Sequence, residues 1–532
     1  MSACVIWFRK SLRLHDNPAL TAACQEKGIS SIIPLYVLDP NILGQDFEKF
    51  GPNRLSFLFE SLRDLDSRLS TEYASKLIIL KGDPVRALEC LAQKLGPNFD
   101  SLYCEYGSEP YERETFSSIE QALRKNSPDS KIKTFGAFQT VLNLEETISS
   151  PAYLNPKSMK DMLKLFSSNL GTGENGFFQV EDPLPHPRQL KPLPPCRFFS
   201  SSGPANPLRS YSSDKLSDLL PTSLKTEIQS RNSYFPGGET EALARLQKKV
   251  SGQVDFVNSF RKPKTASTNE PDEPLEPSTT GLSPYLSTGC LSVRMLWKEC
   301  EKCYLSGNHS QPPESLHGQL LFREMFYLLS RSVENWDQDS GNEMCKPIDW
   351  DEFQAEKMNA WEKGQTGFPL IDAMMRQLDA TGWIHHLGRH AVSCFLTRGQ
   401  LWQNWRFGRD VFDKKLVDSD WALNNGNWLW LSGVAPFSMP YFRLYNPCPD
   451  AKSSLNVETK TARFIKFWVP ELKHLPSKYA YEPHLAPASV QKDSKCIIGQ
   501  DYPFPLVDRK QSAKENLAKF KDSLGRIGSS GS

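Results

Sequence analysis

Long apolar runs separated by amphipathic segments characterise the first 135 residues. Five runs have the length and composition of buried strands: 4–8, 32–38, 76–80, 102–106 and 132–135. Between them, segments such as 52–69 and 84–95 repeat apolar residues at helical spacing. Continuous apolar strands that alternate with helices are typical of a parallel sheet covered on both faces. Residues 1–135 are therefore predicted to form an α/β domain.

The pattern changes twice beyond this point. Residues 136–215 lose the alternation, and 181–213 are dense in Pro and Ser, which predicts an interdomain linker. From 216 to 510 the apolar spacing is helical, and we expect an all-α domain. Its clearest helical stretches are 317–330, 370–381, 383–396 and 411–431. Residues 511–532 are polar and are predicted to be a flexible tail.

Composition narrows the class of protein. A chain of 532 residues that is 39% hydrophobic and 23% charged fits a soluble globular protein of two or three domains. The formal net charge of +1 excludes a strongly basic polyanion binder, so a surface for nucleic acid has to be a local patch. Because neither a secretory signal nor an 18-residue apolar run is present, we expect an intracellular protein.

Twelve cysteines are scattered along the chain, which favours reduced thiols over a disulfide framework. Cys300 and Cys303 have the spacing of metal ligands, and His309 is near. No second cysteine pair follows them, so two half-buried cysteines on a helix are the favoured interpretation. We predict no metal site.

The composition of residues 350–430 indicates a ligand pocket. Eight tryptophans and three histidines fall there, interleaved with Asp and Asn. Apolar, aromatic walls with a few polar groups are typical of pockets for flat conjugated ligands. The first 135 residues contain neither G-x-G-x-x-G nor G-x-x-x-x-G-K-[ST], so an ordinary dinucleotide or P-loop site is excluded there.

Five long motifs carry a resemblance to a known family. In chain order they are WFRKSLRLHDNPAL, FPGGETEAL, EPSTTGLSPYLSTGCLS, TGFPLIDAMMRQLDATGWIHHLGRHAVSCFLTRG and DSDWALNNGNWLWLSG. With them, the chain resembles DNA photolyases and cryptochromes from about residue 3 to 508. The resemblance implies a Rossmann-like N-terminal domain and a helical C-terminal domain that binds FAD. The N-terminal domain of this family can hold an antenna chromophore of folate or deazaflavin type, which no motif here identifies.

The resemblance also implies which residues contact FAD. Thr279, Thr280 and Ser283 correspond to the phosphate side, where hydroxyl and N–H groups at the start of a helix suit a diphosphate. Arg389 corresponds to the flavin-side arginine, and Asp418 to its carboxylate partner. The remaining contacts implied by the family are Phe256, Gln319, Arg323, Trp383, Asp420 and Asn424.

Asn424 corresponds to the residue beside flavin N5. Its uncharged amide accepts a hydrogen bond and tolerates an anionic reduced flavin, whereas a carboxylate would favour a protonated one. Plant cryptochromes carry Asp at this position and insect-type light sensors carry Cys. Asn therefore fits a photolyase, although vertebrate-type clock repressors share it.

Four tryptophans correspond to the family's route for electrons to the flavin. Trp428 is the member nearest the ring, followed by Trp405 and Trp350. Trp402, three residues before Trp405 and predicted on the same helix face, is a candidate fourth member. Aromatic core packing alone also accounts for buried rings of this kind.

His386 and His390 decide the subtype that the resemblance implies. At i and i+4 they share a helix face, and they match the histidine pair of (6-4) photolyases, where CPD photolyases have Asn and Met. Reversal of a (6-4) lesion needs a proton as well as an electron, and an imidazole that titrates near neutrality is a suitable donor. We expect the protein to bind ultraviolet-damaged DNA and to act as a monomer. In a eukaryote we expect it to be nuclear.

The expected DNA contacts leave alternatives open. Lys262 and Lys264 are candidates for phosphate binding, and Tyr441 and Arg443 for the lesion pocket. At GQLLFREMFY, Phe322 replaces the family's usual Trp and narrows one wall of that pocket. Animal cryptochromes keep both histidines, and APFSMPYFRLYNP reads more like CPD photolyases. A CPD photolyase and a cryptochrome-type light sensor or transcriptional regulator therefore remain alternatives to (6-4) repair.

Overall fold

The structure is a computed structural model that describes residues 2–136, 138–195, 199, 206–231, 234–262, 269, 273–450 and 458–530. The chain divides into two compact units. The first comprises Met1–Ser259 and Leu282–Arg331, and the second comprises Phe260–Gly281 and Ser332–Ser532. Lys264 lies outside the described residues.

A six-stranded sheet forms the centre of the first unit as described, in the order β5-β4-β1-β2-β3-β6. All pairs are parallel except β3 with β6. The five predicted strands are confirmed to within three residues. β6 is too short for an apolar pattern to reveal it. The strands are β1 Ala3–Phe8, β2 Ser31–Leu38, β3 Ile78–Lys81, β4 Phe99–Glu105, β5 Lys131–Phe135 and β6 Ser210–Tyr211.

Several helices of the first unit begin where a side chain accepts from a free N–H group or where proline, which has no N–H, occupies the first turn. Asp83 caps α4 and Asn17 caps α1, each with Pro at the first helical position. The helices are α1 Pro18–Gln25, α2 Pro40–Leu43, α3 Pro52–Tyr73, α4 Pro84–Leu95, α5 Pro110–Asn126, α6 Leu144–Ser149, α7 Met159–Leu170, α8 Thr222–Ser230, α9 Glu239–Lys249, α10 Val254–Ser259, α11 Ser283–Ser287, α12 Val293–Tyr304 and α13 Leu316–Ser332.

The segment 136–215, predicted as a linker, contains regular structure. Two of the helices, α6 and α7, lie in it, and β6 pairs with β3 near its end. The Ser158 side chain caps α7, and the helix buries Met162 and Phe166 on one face. Prolines flank these elements, so composition over the whole segment conceals them. The two cysteines with metal spacing, Cys300 and Cys303, are buried thiols on α12.

A buried carboxylate joins two of the recognised motifs in the first unit. Glu239, at the start of α9, is 1% exposed and accepts from the backbone N–H of Leu14 and His15. Burial alone would raise the pKa of Glu239, but hydrogen bonds from His15 and the charge of Arg68 lower it to about 2. His15 also accepts from Ser292 N–H at Nε2.

His186 completes a set of ligand-type atoms with His15 and Glu239, all within 4.8 Å of one another. Both ring nitrogens of His15 are already bonded within the protein, and the Arg68 guanidinium pairs with Glu239. A cation would have to displace these partners. The cluster therefore acts as a structural junction.

The second unit is helical, with short strand-like bridges. In the described segments 332–450 and 458–530 its helices are α14 Ala355–Glu362, α15 Pro369–Thr381, α16 His386–Cys394, α17 Trp405–Lys415, α18 Trp421–Leu431, α19 Arg463–Trp468, α20 Ala488–Asp493 and α21 Arg509–Ser530. A π-helical turn, Phe395–Gly399, follows α16 directly. No helix of the described residues combines the length and apolarity needed to cross a membrane.

Three local predictions differ from the structure. The stretch 411–431 breaks between α17 and α18, because the Asp420 side chain accepts from Leu423 N–H and starts a new helix. Trp402 is not on the helix of Trp405, because α17 begins at Trp405 with Asn404 as its cap; Trp402 precedes the helix with a φ of 55°. The predicted flexible tail forms most of α21, since Asn516, Phe520 and Ser523 recur at helical spacing and are buried.

Close packing of α17 on α18 predicts a stability effect at Gly408. A Cβ at this position would lie 2.1 Å from Cη2 of Trp428 and 2.6 Å from Cδ2 of Leu396. Overpacking of a core costs about 1–3 kcal/mol, which outweighs the gain of up to about 1 kcal/mol expected for Gly→Ala within a helix. We expect Gly408→Ala to lower the urea midpoint of tryptophan fluorescence.

Gly525→Ala on α21 is the matched control, because nothing lies within 4 Å of its added Cβ. Its midpoint should stay unchanged or rise. An unchanged midpoint in Gly408→Ala would show that the α17–α18 contact can relax without cost.

Candidate active site

Three histidines cluster at the start of α16. His385 caps the helix by accepting from Leu387 N–H at Nδ1, 3.2 Å away. His386 and His390 follow on the helix, one turn apart, with ring centroids separated by 6.2 Å. The rings of His385 and His386 are 4.1 Å apart. The predicted i, i+4 pair thus lies on one helix, with a third imidazole beside it.

Tyr445 is the hydrogen-bonding partner of His390. Its hydroxyl lies 2.6 Å from Nδ1, and Trp430 packs edge-on against the same imidazole at 5.6 Å. Burial raises the pKa of Tyr445 to about 12, so the phenol keeps its proton at neutral pH and can donate. Sequence reasoning missed Tyr445, because nothing in PYFRLYNP separates it from Tyr441.

Burial and positive charge keep the histidines neutral. The pKa of His390 falls to about 3, chiefly by burial and next by the charge of Lys262. The same two causes hold the pKa of His386 well below its ordinary value. This low pKa differs from the prediction of an imidazole that titrates near neutrality, because burial and nearby positive charge disfavour the imidazolium. Burial also lowers the pKa of Lys262, to about 8.

Two imidazole nitrogens in this cluster have no hydrogen-bonding partner among the described residues. They are Nε2 of His385 and Nε2 of His386, both buried. Because His385 accepts at Nδ1, its Nε2 carries the proton of the neutral ring. Buried polar atoms are nearly always paired, so these two nitrogens are suited to a ligand.

A bidentate ion pair fixes α16 to the loop that precedes α18. Arg389 donates from its two terminal nitrogens to the two carboxylate oxygens of Asp418, at 3.0 and 2.8 Å. Its Nε donates to the Ile384 carbonyl at 2.9 Å. The Asp418 side chain is 4% exposed, so this charge-assisted pair is largely shielded from water. The predicted pairing of Arg389 with Asp418 is present.

The amide of Asn424 presents its oxygen as a free acceptor. Its Nδ2 donates to the Arg409 carbonyl at 3.0 Å, and within the described chain its oxygen accepts no hydrogen bond. An acceptor held in this orientation suits a protonated ring nitrogen such as flavin N5. Asp420 serves first as the cap of α18. The side chains of the second unit therefore fit the flavin end of FAD.

The other predicted FAD contacts lie on several elements. In the second unit, Trp383 is buried and Thr279 and Thr280 are half-buried in a loop. In the first unit, α13 carries Gln319, Phe322 and Arg323, α10 carries Phe256 and α11 begins at Ser283. The spacing of Gln319, Phe322 and Arg323 brings them to one face of α13.

Arg323 has structural partners within its own unit. Its guanidinium donates to the carbonyl oxygens of Gln139 and Leu286. The adjacent Glu324 accepts from the N–H groups of Val141 and Leu142, and burial raises the pKa of Glu324 to about 7. Both side chains therefore hold loop backbone against α13.

Three of the predicted tryptophans, Trp402, Trp405 and Trp428, are buried, and Trp350 is half-buried. Trp428 lies in α18, with Phe412 at 5.1 Å and Trp361 at 6.2 Å between ring centroids. Trp350 and Trp402 form a second group, 4.8 Å apart. Trp405, at the first position of α17, is 0% exposed. Trp361 is a neighbour of Trp428 that the sequence did not single out.

Tyr441 and Arg443, the residues predicted for the lesion pocket, lie in a loop that contacts α21 and Arg398. The Tyr441 ring stacks on Phe520 of α21, with centroids 4.7 Å apart and planes 4° from parallel. The buried Arg398 donates to the carbonyls of Tyr441 and Arg443 and so fixes this loop. The Arg443 side chain is exposed, and Phe442 is 62% exposed beside it.

Comparison with known protein families identifies the family of this chain. A model described as "DNA photolyase" matches residues 4–152, and one described as "FAD binding domain of DNA photolyase" matches 315–522. The (6-4)DNA photolyase of Arabidopsis thaliana is 38% identical, over 98% of this chain and 88% of the relative. The chain belongs to the DNA photolyase family, which includes the cryptochromes. FAD is the cofactor of its C-terminal domain.

Photolyases and cryptochromes both occur among its relatives. Cryptochrome-1 of Mus musculus is 35% identical, over 97% of this chain and 79% of the relative. Two solved structures, each 25% identical to this chain, share its fold. The Synechocystis sp. PCC6803 cryptochrome has a TM-score of 0.80 and covers 97% of this chain and 99% of its own. A class III photolyase from Agrobacterium tumefaciens has a TM-score of 0.78, with 99% and 98% covered.

The charge of Lys262 gives a prediction for the histidine pKa values. Removing a positive charge that disfavours the imidazolium raises the pKa of a nearby histidine. In Lys262→Gln we expect the pKa values of His386 and His390 to rise, yet to stay below about 6.5 because burial persists. NMR titration of isotope-labelled histidines in the full-length protein measures this.

Lys414→Gln provides the matched control, since it removes one exposed charge from α17 in the same unit. It should leave both titrations where they are. Equal shifts in the two variants would show that overall charge, and not Lys262, acts on these imidazoles.

Proposed function

We propose that this photolyase-family protein is a (6-4) photolyase, a light-driven enzyme that restores pyrimidine bases in ultraviolet-damaged DNA. As a repair enzyme it would act as a monomer in the compartment that holds the DNA, which is the nucleus in a eukaryote. The observation that carries the proposal is the pair His386 and His390 on α16, with Tyr445 hydrogen-bonded to His390 and with burial and the charge of Lys262 lowering the pKa of both imidazoles.

The positive residues of the second unit are suited to DNA. The exposed Arg443 can bind a backbone phosphate, and Lys262 can bind another. Phosphate contacts position a duplex. Photolyases act on a base only after the damaged nucleotide has been flipped out of the stack. The exposed Phe442 next to Arg443 offers an apolar surface to the bases so displaced.

Substrate binding has a consequence for His386. A phosphate at Lys262 offsets the positive charge that helps to keep the imidazole neutral. The pKa of His386 therefore rises toward its ordinary value when DNA is bound. The histidine would gain its proton in the complex, where the lesion needs it. His390, hydrogen-bonded to Tyr445, would orient its neighbour.

When bound, FAD supplies the light-driven electron that the reaction needs. The protein would hold it through the acceptor oxygen of Asn424 and the Arg389–Asp418 pair. The proton would come from His386 to the hydroxyl or amino group that returns to its original base. General acid catalysis of this kind typically contributes about 10²–10⁴-fold.

His386→Ala tests this assignment. The variant should retain FAD and bind damaged DNA, since other residues supply both functions, while repair of a (6-4) oligonucleotide per absorbed photon should fall by about 10²-fold or more. The measurement is chromatography of the repaired oligonucleotide after a counted light dose. Substantial (6-4) repair by the variant would contradict the role of His386.

The same assay separates the alternatives. A CPD photolyase would repair oligonucleotides with cyclobutane dimers and would keep that activity in His386→Ala. A cryptochrome would repair neither lesion although it binds FAD and responds to light. His484→Ala, a half-buried histidine in the same unit, is the matched control and should repair normally.

A second prediction concerns the tryptophans. Trp428→Phe should block photoreduction of oxidised FAD in the purified protein, because the family's nearest electron donor is then lost. Repair by protein that has been reduced chemically should largely survive. Absorption spectra recorded during illumination with a thiol measure the first effect.

Trp361→Phe is the control, because its ring packs against Trp428 without belonging to the proposed route. It should photoreduce at nearly the normal rate. If Trp361→Phe blocks photoreduction and Trp428→Phe does not, the route through Trp428 is wrong.

A further inference from the structure

Trp350 and Trp402, which we call the outer tryptophan pair, contact each other in the second unit, and the backbone of Trp402 has an unusual conformation. Trp402 has a φ of 55°, a left-handed conformation that is unfavourable for a large side chain. Its N–H donates to Thr397 O of the π-helical turn, and its carbonyl accepts from Asp351 N–H. Its indole Nε1 donates to the Asp349 carbonyl at 3.0 Å. Strain of this kind persists only where surrounding contacts enforce it.

Helix α21 covers this pair. Phe520 is 0% exposed and lies 6.3 Å, edge-on, from both Trp350 and Trp402. Asn516 donates to the Gly399 carbonyl at 3.1 Å, and Ser523 accepts from Asp349 N–H at 3.3 Å. Trp402 is consequently 1% exposed, whereas Trp350 keeps part of its surface in water.

One cation of α21 distinguishes the two rings. The Lys519 ammonium lies 5.5 Å from the centroid of Trp402, over the ring, and 3.0 Å from a carboxylate oxygen of Asp351. A cation over a neutral indole is attracted by the negative face of the ring. If the ring loses an electron it becomes a cation itself, and the attraction turns into repulsion.

Release of the Nε1 proton also differs between the two rings. An oxidised indole is a stronger acid and is stabilised when it can release the Nε1 proton to a base. In Trp402 that proton is held by a backbone carbonyl, which is not a base. Water can reach the half-exposed Trp350 and accept its proton. Charge and proton release therefore both favour Trp350 as the oxidised member.

We propose that Lys519, held by Asp351, makes Trp402 the harder of the two rings to oxidise, so that the oxidised state resides on Trp350. The inference rests on the proposed tryptophan route. An electron passes from Trp350 to an oxidised Trp405, and the Trp350 radical releases its Nε1 proton to water. A thiol in solution then returns one electron and one proton. The role of Trp402 is then structural: its ring packs against Trp350 under α21.

The test compares where oxidation products form. Purified full-length protein is oxidised in two ways, by blue light and, in the dark, by azide radicals from pulse radiolysis. Peptide mass spectrometry then gives the ratio of oxidised Trp350 to oxidised Trp402. In Lys519→Gln this ratio should fall by about tenfold, because the repulsion is lost and Asp351 remains. In Asp351→Asn it should rise, because Lys519 is no longer offset.

Lys521→Gln is the matched control, an exposed lysine that lies about 200° around α21 from Lys519. Its ratio should equal that of the unaltered protein. Hydrogen exchange of residues 509–526 verifies that α21 stays docked in each variant. Equal ratios in all variants, or shifts of the same sign in Lys519→Gln and Asp351→Asn, would overturn the proposal.

Oxidation by azide radicals in the dark does not depend on photochemistry. If light oxidises neither ring while azide radicals give the expected ratios, the electrostatic role of Lys519 stands and the proposed light-driven route fails. If the azide ratios do not respond to Lys519→Gln, the role of Lys519 fails whatever light does.

Discussion

The Arg389–Asp418 ion pair is the interaction on which the candidate site depends. It ties the helix that carries His386 and His390 to the loop that leads into Asn424, two segments about 30 residues apart in the chain. Because the Asp418 side chain is almost fully buried, loss of the arginine would leave an unpaired carboxylate, at a cost of about 3 kcal/mol or more. One contact thereby holds the groups proposed to face the flavin and those proposed to face the lesion.

Positive charge and burial act together on the histidines. Lys262 and Arg389 both disfavour a charged imidazole at His386, and burial adds the largest part. The protein thus keeps its proposed proton donor neutral until an anion arrives. A DNA phosphate is such an anion, so binding of the substrate and charging of the donor would be linked.

The second unit uses its last helix to organise aromatic side chains. α21 stacks Phe520 on Tyr441 and covers Trp350 and Trp402, while the buried Arg398 fixes the backbone around Tyr441. The loop that carries Tyr445 and the outer tryptophans therefore share one scaffold. A polar terminal segment becomes a structural element because only a few of its residues need to be apolar.

The sequence by itself determined the five parallel strands, the family, the cofactor and the histidine pair on α16, because apolar periodicity and long motifs are local properties of a chain. It also indicated the pairing of Arg389 with Asp418 through family resemblance. Only the tertiary structure brought Tyr445 to His390 and Lys519 to Trp402, contacts between residues 55 and more than 100 positions apart. Only the tertiary structure lowered the histidine pKa values, because burial and neighbouring charge arise when distant segments pack together.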